Sequence, residues 1–275
     1  MFRNLDDAQL AEKAKQLRGK MLKMLCAAGS GHTGGSLSSM DILTVLYNNV
    51  LRHDPKNPKD PNRDRFVLSK GHVCPAVYVQ LADCGYFDEK HLMTLRKYGS
   101  ILQGHPYMHK TPGFDVSGGS LGQGLSVAVG MALAAKMDGT PHRVYCLMGD
   151  GEQQEGQIWE AAMAGAHYKL DNLCGIVDQN GLQIDGLVKD VMDIEPLADK
   201  WAAFNWNVIR CDGHDMASIR EAFAKAEAFK GRPSVILAKT VKGKGVSFME
   251  NKCNWHGVAP NTEQLDSAIC ELGCE

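Results

Sequence analysis

Residues 148–186, MGDGEQQEGQIWEAAMAGAHYKLDNLCGIVDQNGLQIDG, constrain the fold more than any other stretch of the chain. An apolar run ends in Gly149-Asp150-Gly151, a segment of helical spacing follows over 157–169, and a second apolar run ends in Asp178-Gln179-Asn180. Strand, helix, strand at this spacing is a βαβ unit, whose crossover makes the two strands parallel neighbours. Their carboxyl ends therefore lie side by side, one delivering an acid and the other an amide.

The rest of the chain repeats the alternation. Counting the two runs of that unit, β-rich apolar runs fall at 65–69, 143–148, 173–178, 207–211 and 234–240, separated mostly by helical patterns at 121–137, 157–169 and 216–230. This predicts an α/β fold, a doubly wound, mainly parallel sheet with helices on both faces. The 121–137 segment carries small apolar residues on nearly all sides, which predicts burial between layers. Leu10, Ala14, Leu17, Met21 and Met24 keep helical spacing behind Asp6 and Asp7, as in a packed amphipathic helix. The proline-punctuated segment 52–65 reads as a solvated loop. No repeat or internal boundary is visible, so one domain over 1–275 is expected.

Composition removes several function classes. A net charge of -2 over 275 residues provides no global field for nucleic acid and no polybasic membrane patch. No apolar stretch of bilayer-spanning length and no secretory h-region is present. The nine cysteines lack a Cys-x-x-C pair. They are expected to be reduced thiols in a cytoplasmic protein.

At the sheet edge, Asp150 and Asn180 offer one carboxylate and one neutral amide oxygen. That pair, with coordination positions left over, suits a hard divalent cation carrying a diphosphate. The glycines Gly149 and Gly151 let the backbone approach phosphate oxygens, and the following helix turns free N–H groups toward the anion. Residues 29–34, GSGHTG, match the dinucleotide-binding glycine pattern, but a helix rather than a strand precedes them and no acid follows at the required distance. What remains is a loop presenting His32, before a helix with a Ser38-x-x-Asp41 capping pattern. His72, His105 and His256 also sit beside glycines. Four such loops fit a polar pocket in which neutral imidazoles bind hydroxyls and move protons. Their spacings are too long for a compact zinc motif. The run 117–124, SGGSLGQG, opens the small-residue helix and offers main-chain contact to a flat heteroaromatic ring.

Taken in order, GSGHTGGSLS, LSKGHVCPA, GHP, SGGSLGQGLSVAVG, GDGEQQEG, DQNGLQIDG, CDGHD, KTVKGKG and the final HG closely resemble the N-terminal, diphosphate-binding half of transketolase. The resemblance runs from about residue 10 to about residue 260. It implies thiamine diphosphate as cofactor, with Mg²⁺ (Ca²⁺ or Mn²⁺ being alternatives) held by Asp150, Asn180 and the main-chain carbonyl of Leu182. It assigns His32, His72, His105 and His256 to the surroundings of the thiazolium and the ketose hydroxyls. Gly119 and Leu121 resemble the pair touching the aminopyrimidine, and Glu155 a structural acid at the dimer contact between cofactor sites. The implied activity is transfer of a two-carbon ketol unit from a ketose to an aldose.

The chief departure is length, because a whole transketolase is more than twice as long. The family's activating glutamate comes from a pyrimidine-type domain, and no residue here takes that role. A split enzyme is therefore expected, an α2β2 heterotetramer with a C-terminal subunit carrying that domain. Two other thiamine enzymes compete with this reading, the α subunit of a 2-oxo acid dehydrogenase and a deoxyxylulose phosphate synthase. Gly104-His105-Pro106 and the SLGQG loop favour transketolase over both. A non-catalytic cofactor-binding module would have lost ligands or histidines, and all are present.

Overall fold

A computed structural model describes residues 4–274. Strands β1 (Arg65–Leu68), β2 (Val144–Gly149), β3 (Leu173–Gln179), β6 (Asn207–Asp212) and β7 (Ser234–Lys239) form one sheet in the order β1-β2-β3-β7-β6. All four pairings are parallel. A small antiparallel hairpin, β4 (Leu182–Gln183) with β5 (Gly186–Leu187), follows β3 outside the sheet.

Side chains alternate across each strand, and the two faces feed two cores. Tyr145 and Leu147 of β2 join one cluster, whereas Val144, Cys146 and Met148 join the other. The first cluster is covered by α1 (Asp7–Ala28), α2 (Thr33–Ser38), α3 (Met40–Val45), α4 (Cys74–Cys84), α9 (Met216–Ala228) and α10 (Thr262–Leu272). The second lies under α5 (Gln123–Asp138), α6 (Gly156–His167) and α8 (Leu197–Ala203), and the short α7 (Val188–Met192) follows the hairpin. Helices therefore cover both faces, as the alternating sequence predicts.

Local chemistry sets the element ends. Asp6 caps α1 by accepting from the Gln9 N–H at 2.8 Å, while the Gln9 side chain accepts from the Asp6 N–H at 3.0 Å. Leu10, Ala14, Leu17, Met21 and Met24 are all buried, as their spacing requires. In the 52–65 loop the tip is solvated but the end is not. The buried Asp64 carboxylate accepts from the Arg52 and Arg143 N–H groups at 2.9 and 2.8 Å, tying the loop to β2.

Two expectations are corrected. Ser38 forms no capping box with Asp41. Its hydroxyl donates instead to Asp178 at 2.6 Å, and a break at Ser39 separates α2 from α3. Helix α5 is not buried on all sides. Leu125, Ala128, Ala132 and Ala135 pack inward, but Val127 is 38% and Met137 78% exposed, and Met163 of α6 is 62% exposed. Small residues permit close packing on either side, and this chain fills only one of them. Among the described residues, no helix is long and apolar enough to cross a membrane.

Candidate active site

The carboxyl ends of β1, β2, β3 and β7 lie at one edge of the sheet, and each is followed within three residues by a polar side chain. These are Lys70, Asp150, Asn180 and Lys242, and all four are buried. Ligands of open α/β sheets collect at this edge. The four side chains line one cavity of about 360 Å³ together with His32, His72, His256, Gly119, Leu121, Gly149, Gly151, Glu155 and Leu182. Of the site residues expected from sequence, only His105 lies outside the lining. It stands beside it, its ring 6.1 Å from that of His32.

Two buried acids assemble the floor. Asp178, fully buried, receives Lys70 Nζ at 2.6 Å and the hydroxyls of Ser38 (2.6 Å), Ser39 (2.8 Å) and Thr240. Burial alone would raise its carboxyl, but the Lys70 ammonium and the hydroxyl donors outweigh that and hold it below the usual range. Glu152 accepts from the Gly149 N–H at 2.9 Å, the Gly122 N–H at 2.8 Å and the Ser69 hydroxyl. It thereby joins the Gly-Asp-Gly turn to the loops after β1 and before α5. Close approach requires glycine there. A Cβ on Gly124 would stand 2.5 Å from the Ser69 Cβ, and Gly122 has φ +81 with Glu155 Cβ only 2.7 Å from its Cβ position.

Asp150 is held by two main-chain donors, Gly151 N–H at 2.8 Å on Oδ1 and Gly181 N–H on Oδ2. Burial pushes its carboxyl up to about 6, despite these donors and Lys70. Asn180 Oδ1 accepts from the Leu182 N–H at 3.1 Å, a side-chain turn that starts the β4–β5 hairpin. Asp150, Asn180 and Leu182 thus meet around Gly181. Carboxylate, amide and carbonyl oxygens with no sulfur or imidazole among them suit a hard cation.

Lys242 supplies the opposite charge. Burial, with Lys70 nearby, lowers its ammonium to about 8. Its one close polar contact among the described residues is the His256 ring, with Nζ 2.9 Å from Nδ1. A buried carboxylate and a buried ammonium, each without a directly contacting counter-charge among the described residues, are complemented by a metal ion carrying a diphosphate. The residues present fit that group.

Four imidazoles stand over this floor. The ring centroid of His32 is 5.1 Å from that of His72 and 5.5 Å from that of His256, and His72 stacks on His256 at 5.2 Å. Burial lowers all of them, to about 4 for His32, about 3 for His256, and well below the usual value for His72. The neighbouring cations Lys242 and Lys70 add to the shift, as Arg96 does for His32 and for the less buried His105. All four are neutral at pH 7, so each offers one N–H donor and one acceptor. Because the Lys242 ammonium can only donate, His256 Nδ1 accepts and Nε2 carries the proton. His32 Nδ1 is buried without a partner among the described residues, a polar atom open to a ligand.

Sequence reasoning missed Lys70, Lys242, Glu152, Asp178 and Arg96 as individual residues. The signal for Lys70, Lys242, Glu152 and Asp178 lay inside the motifs already singled out, in which charged side chains stand among glycines and apolar residues, whereas Arg96 lies in none of them. Glu155 lines the cavity wall but is exposed, and its Cβ packs against Gly122.

A family model described as transketolase, thiamine diphosphate binding domain, matches residues 10–275. One of the subunits of an apulose-4-phosphate transketolase from Phocaeicola vulgatus is 45% identical over 260 residues, covering 94% of this chain and 92% of the relative. A 6-deoxy-6-sulfo-D-fructose transketolase subunit, SqwG, of Clostridium sp. is 46% identical over 263 residues, covering 96% of both chains. The crystal structure of transketolase from Campylobacter jejuni superposes with a TM-score of 0.93 at 35% identity, over 98% of this chain. The present chain spans 44% of that enzyme and 42% of human transketolase, to which it is 43% identical. The strand-end polar residues and the histidine cluster therefore stand in a chain that belongs to the transketolase family, as its thiamine diphosphate-binding domain.

Proposed function

We propose that this chain is the N-terminal, diphosphate-gripping subunit of a split transketolase. The observation that carries the reading is the convergence of four strand ends, bearing Lys70, Asp150, Asn180 and Lys242, beneath four neutral histidines. The near-complete mutual coverage with relatives named as subunits supports the division into two chains.

In this reading Asp150, Asn180 and the Leu182 carbonyl hold Mg²⁺, with Ca²⁺ or Mn²⁺ as substitutes, and Lys242 neutralises diphosphate charge. Gly149 and Gly151 admit the phosphates, while Gly119 and Leu121 touch the aminopyrimidine. Thiamine diphosphate, when bound, supplies the carbon centre that carries a two-carbon ketol unit. His32 and His256 take up and return the proton of the donor C3 hydroxyl, and His105 holds the ketol hydroxyl. His72 packs against both His32 and His256, closing the pocket over the ring. Water is kept from the reacting groups by the same walls that keep the imidazoles neutral.

The acid that activates the aminopyrimidine is supplied by a complementary subunit with a pyrimidine-type domain, in a cytoplasmic α2β2 assembly. The exposed apolar face of α5 and α6 is where such a subunit would bury surface. The sugar is a ketose with an anionic distal group, phosphate or sulfonate, consistent with the substrates in the relatives' names. Co-expression with a chain carrying a pyrimidine-type domain tests this. Ketol transfer from a ketose to an aldose, with no turnover of pyruvate, is expected. Failure to form a complex, or turnover of pyruvate instead, would overturn it.

A further inference from the structure

His214 lies outside the cavity, in the turn between β6 and α9, yet it connects the back of the fold to the cavity. Its Nδ1 is 2.7 Å from Asp41 Oδ2, and its Nε2 is 2.8 Å from the Val241 main-chain nitrogen. A main-chain N–H can only donate, so Nε2 is the acceptor and Nδ1–H donates to Asp41. The ring is thus fixed in one tautomer by partners 200 residues apart in sequence (241 against 41).

Both partners are themselves held. Arg18 makes a two-pronged contact with Asp41, Nη1 to Oδ1 at 2.8 Å and Nη2 to Oδ2 at 2.6 Å, and Nη2 also reaches the Leu37 carbonyl. Arg18 and Asp41 are both buried, and their charges cancel. On the other side, Val241 begins the turn that carries Lys242. The Gly243 N–H of that turn donates to the Gly34 carbonyl at 3.0 Å, fixing it against α2. The turn is thus anchored on both sides of Lys242, by His214 at Val241 and by Gly34 at Gly243, and the Asn251 N–H holds the Lys242 carbonyl at 2.9 Å.

We infer that His214 is a positioning residue that, through the Val241–Lys242 turn, fixes both the Lys242 ammonium and the tautomer of His256. The link from Lys242 to His256 is the 2.9 Å contact between Nζ and Nδ1. If the ammonium withdraws, no other hydrogen bond among the described residues enforces the proton on His256 Nε2. The functional weight of this coupling rests on the proposed function, in which His256 handles a substrate proton and Lys242 grips diphosphate. The coupling itself does not.

The test compares three substitutions in the full chain by imidazole ¹⁵N NMR, with circular dichroism to establish folding. His214→Gln can place a carbonyl oxygen where Nε2 stood and still accept from Val241. His214→Asn can satisfy Asp41 but does not reach Val241, and His214→Leu satisfies neither. The wild-type and H214Q chains are expected to show His256 as the Nε2–H tautomer. H214N and H214L are expected to show averaging between tautomers, and about tenfold weaker binding of Mg²⁺ with thiamine diphosphate, a loss typical of changes one layer behind a metal site. Unchanged His256 resonances in folded H214N and H214L would overturn the inference, as would equal perturbation by H214Q. A Lys242→Met chain separates the two claims. If it perturbs His256 yet binds the cofactor normally, the coupling stands and the diphosphate grip fails.

Discussion

Cofactor binding should be bounded by two titrations on this chain, and Asp150 sets the acid side. Burial pushes its carboxyl up to about 6, and only the carboxylate form ligates a metal ion. At pH 5 such a group is about nine-tenths protonated, so the apparent Kd for Mg²⁺–thiamine diphosphate is about tenfold higher than at pH 7.5. Lys242 sets the basic side. Its ammonium is lowered to about 8, and the anion grip is lost as it deprotonates, raising Kd about tenfold between pH 7 and pH 9. The buried imidazoles do not confuse the acid limb, since His32 and His256 titrate at about 4 and about 3. The cofactor's terminal phosphate does, because it titrates at about 6. Asp150→Asn removes the protein's share and leaves the phosphate's. Isothermal titration calorimetry from pH 5 to 9 on both chains gives the ratio of their affinities. That ratio should climb about tenfold from pH 5 to 7.5 and then level. A ratio flat across that interval would refute the argument that a buried, uncompensated Asp150 is the metal ligand.

Three further outcomes follow from packing and charge. Lys70→Met leaves Asp178 buried with only hydroxyl donors, and urea denaturation should show a loss of about 3 kcal/mol. Gly124→Ala drives a Cβ to 2.5 Å from Ser69 and should cost about 1–3 kcal/mol in the same measurement. Val127→Asp on the open side of α5 should change the stability of the isolated chain by less than about 0.5 kcal/mol. It should nonetheless abolish association with the complementary subunit in sedimentation velocity.

The sheet and its working edge are legible in the sequence because they depend on short-range patterns. Apolar runs of strand length, each closed by glycine or a polar residue, locate β1, β2, β3, β6 and β7, and Asp150 and Asn180 follow from where two of those runs end. The histidine cluster is legible only as four separate loops. That they meet depends on the parallel order of the strands, which brings residues 32, 72, 105 and 256 to one edge. Asp178 is the instructive miss. It stands two residues before Asn180 in the same motif, but it lies still inside β3, fully buried against Lys70, whereas Asn180 falls past the strand end, and nothing local marks Asp178 as a counter-ion. The same long-range pairing takes Ser38 away from its capping pattern. Helix α5 shows the converse limit, since an all-round apolar helix states that both sides need cover without stating whether one chain provides it.

The central claim is that this chain grips the cofactor and lacks the group that activates it. Exchange of the thiazolium C2 proton, followed by ¹H NMR in D₂O, tests that directly. With Mg²⁺ and saturating thiamine diphosphate, the chain alone should leave the exchange rate near that of free cofactor. Addition of the subunit carrying the pyrimidine-type domain should raise it by orders of magnitude. Rapid exchange in the chain alone would show that an activating acid is already present and contradict the account.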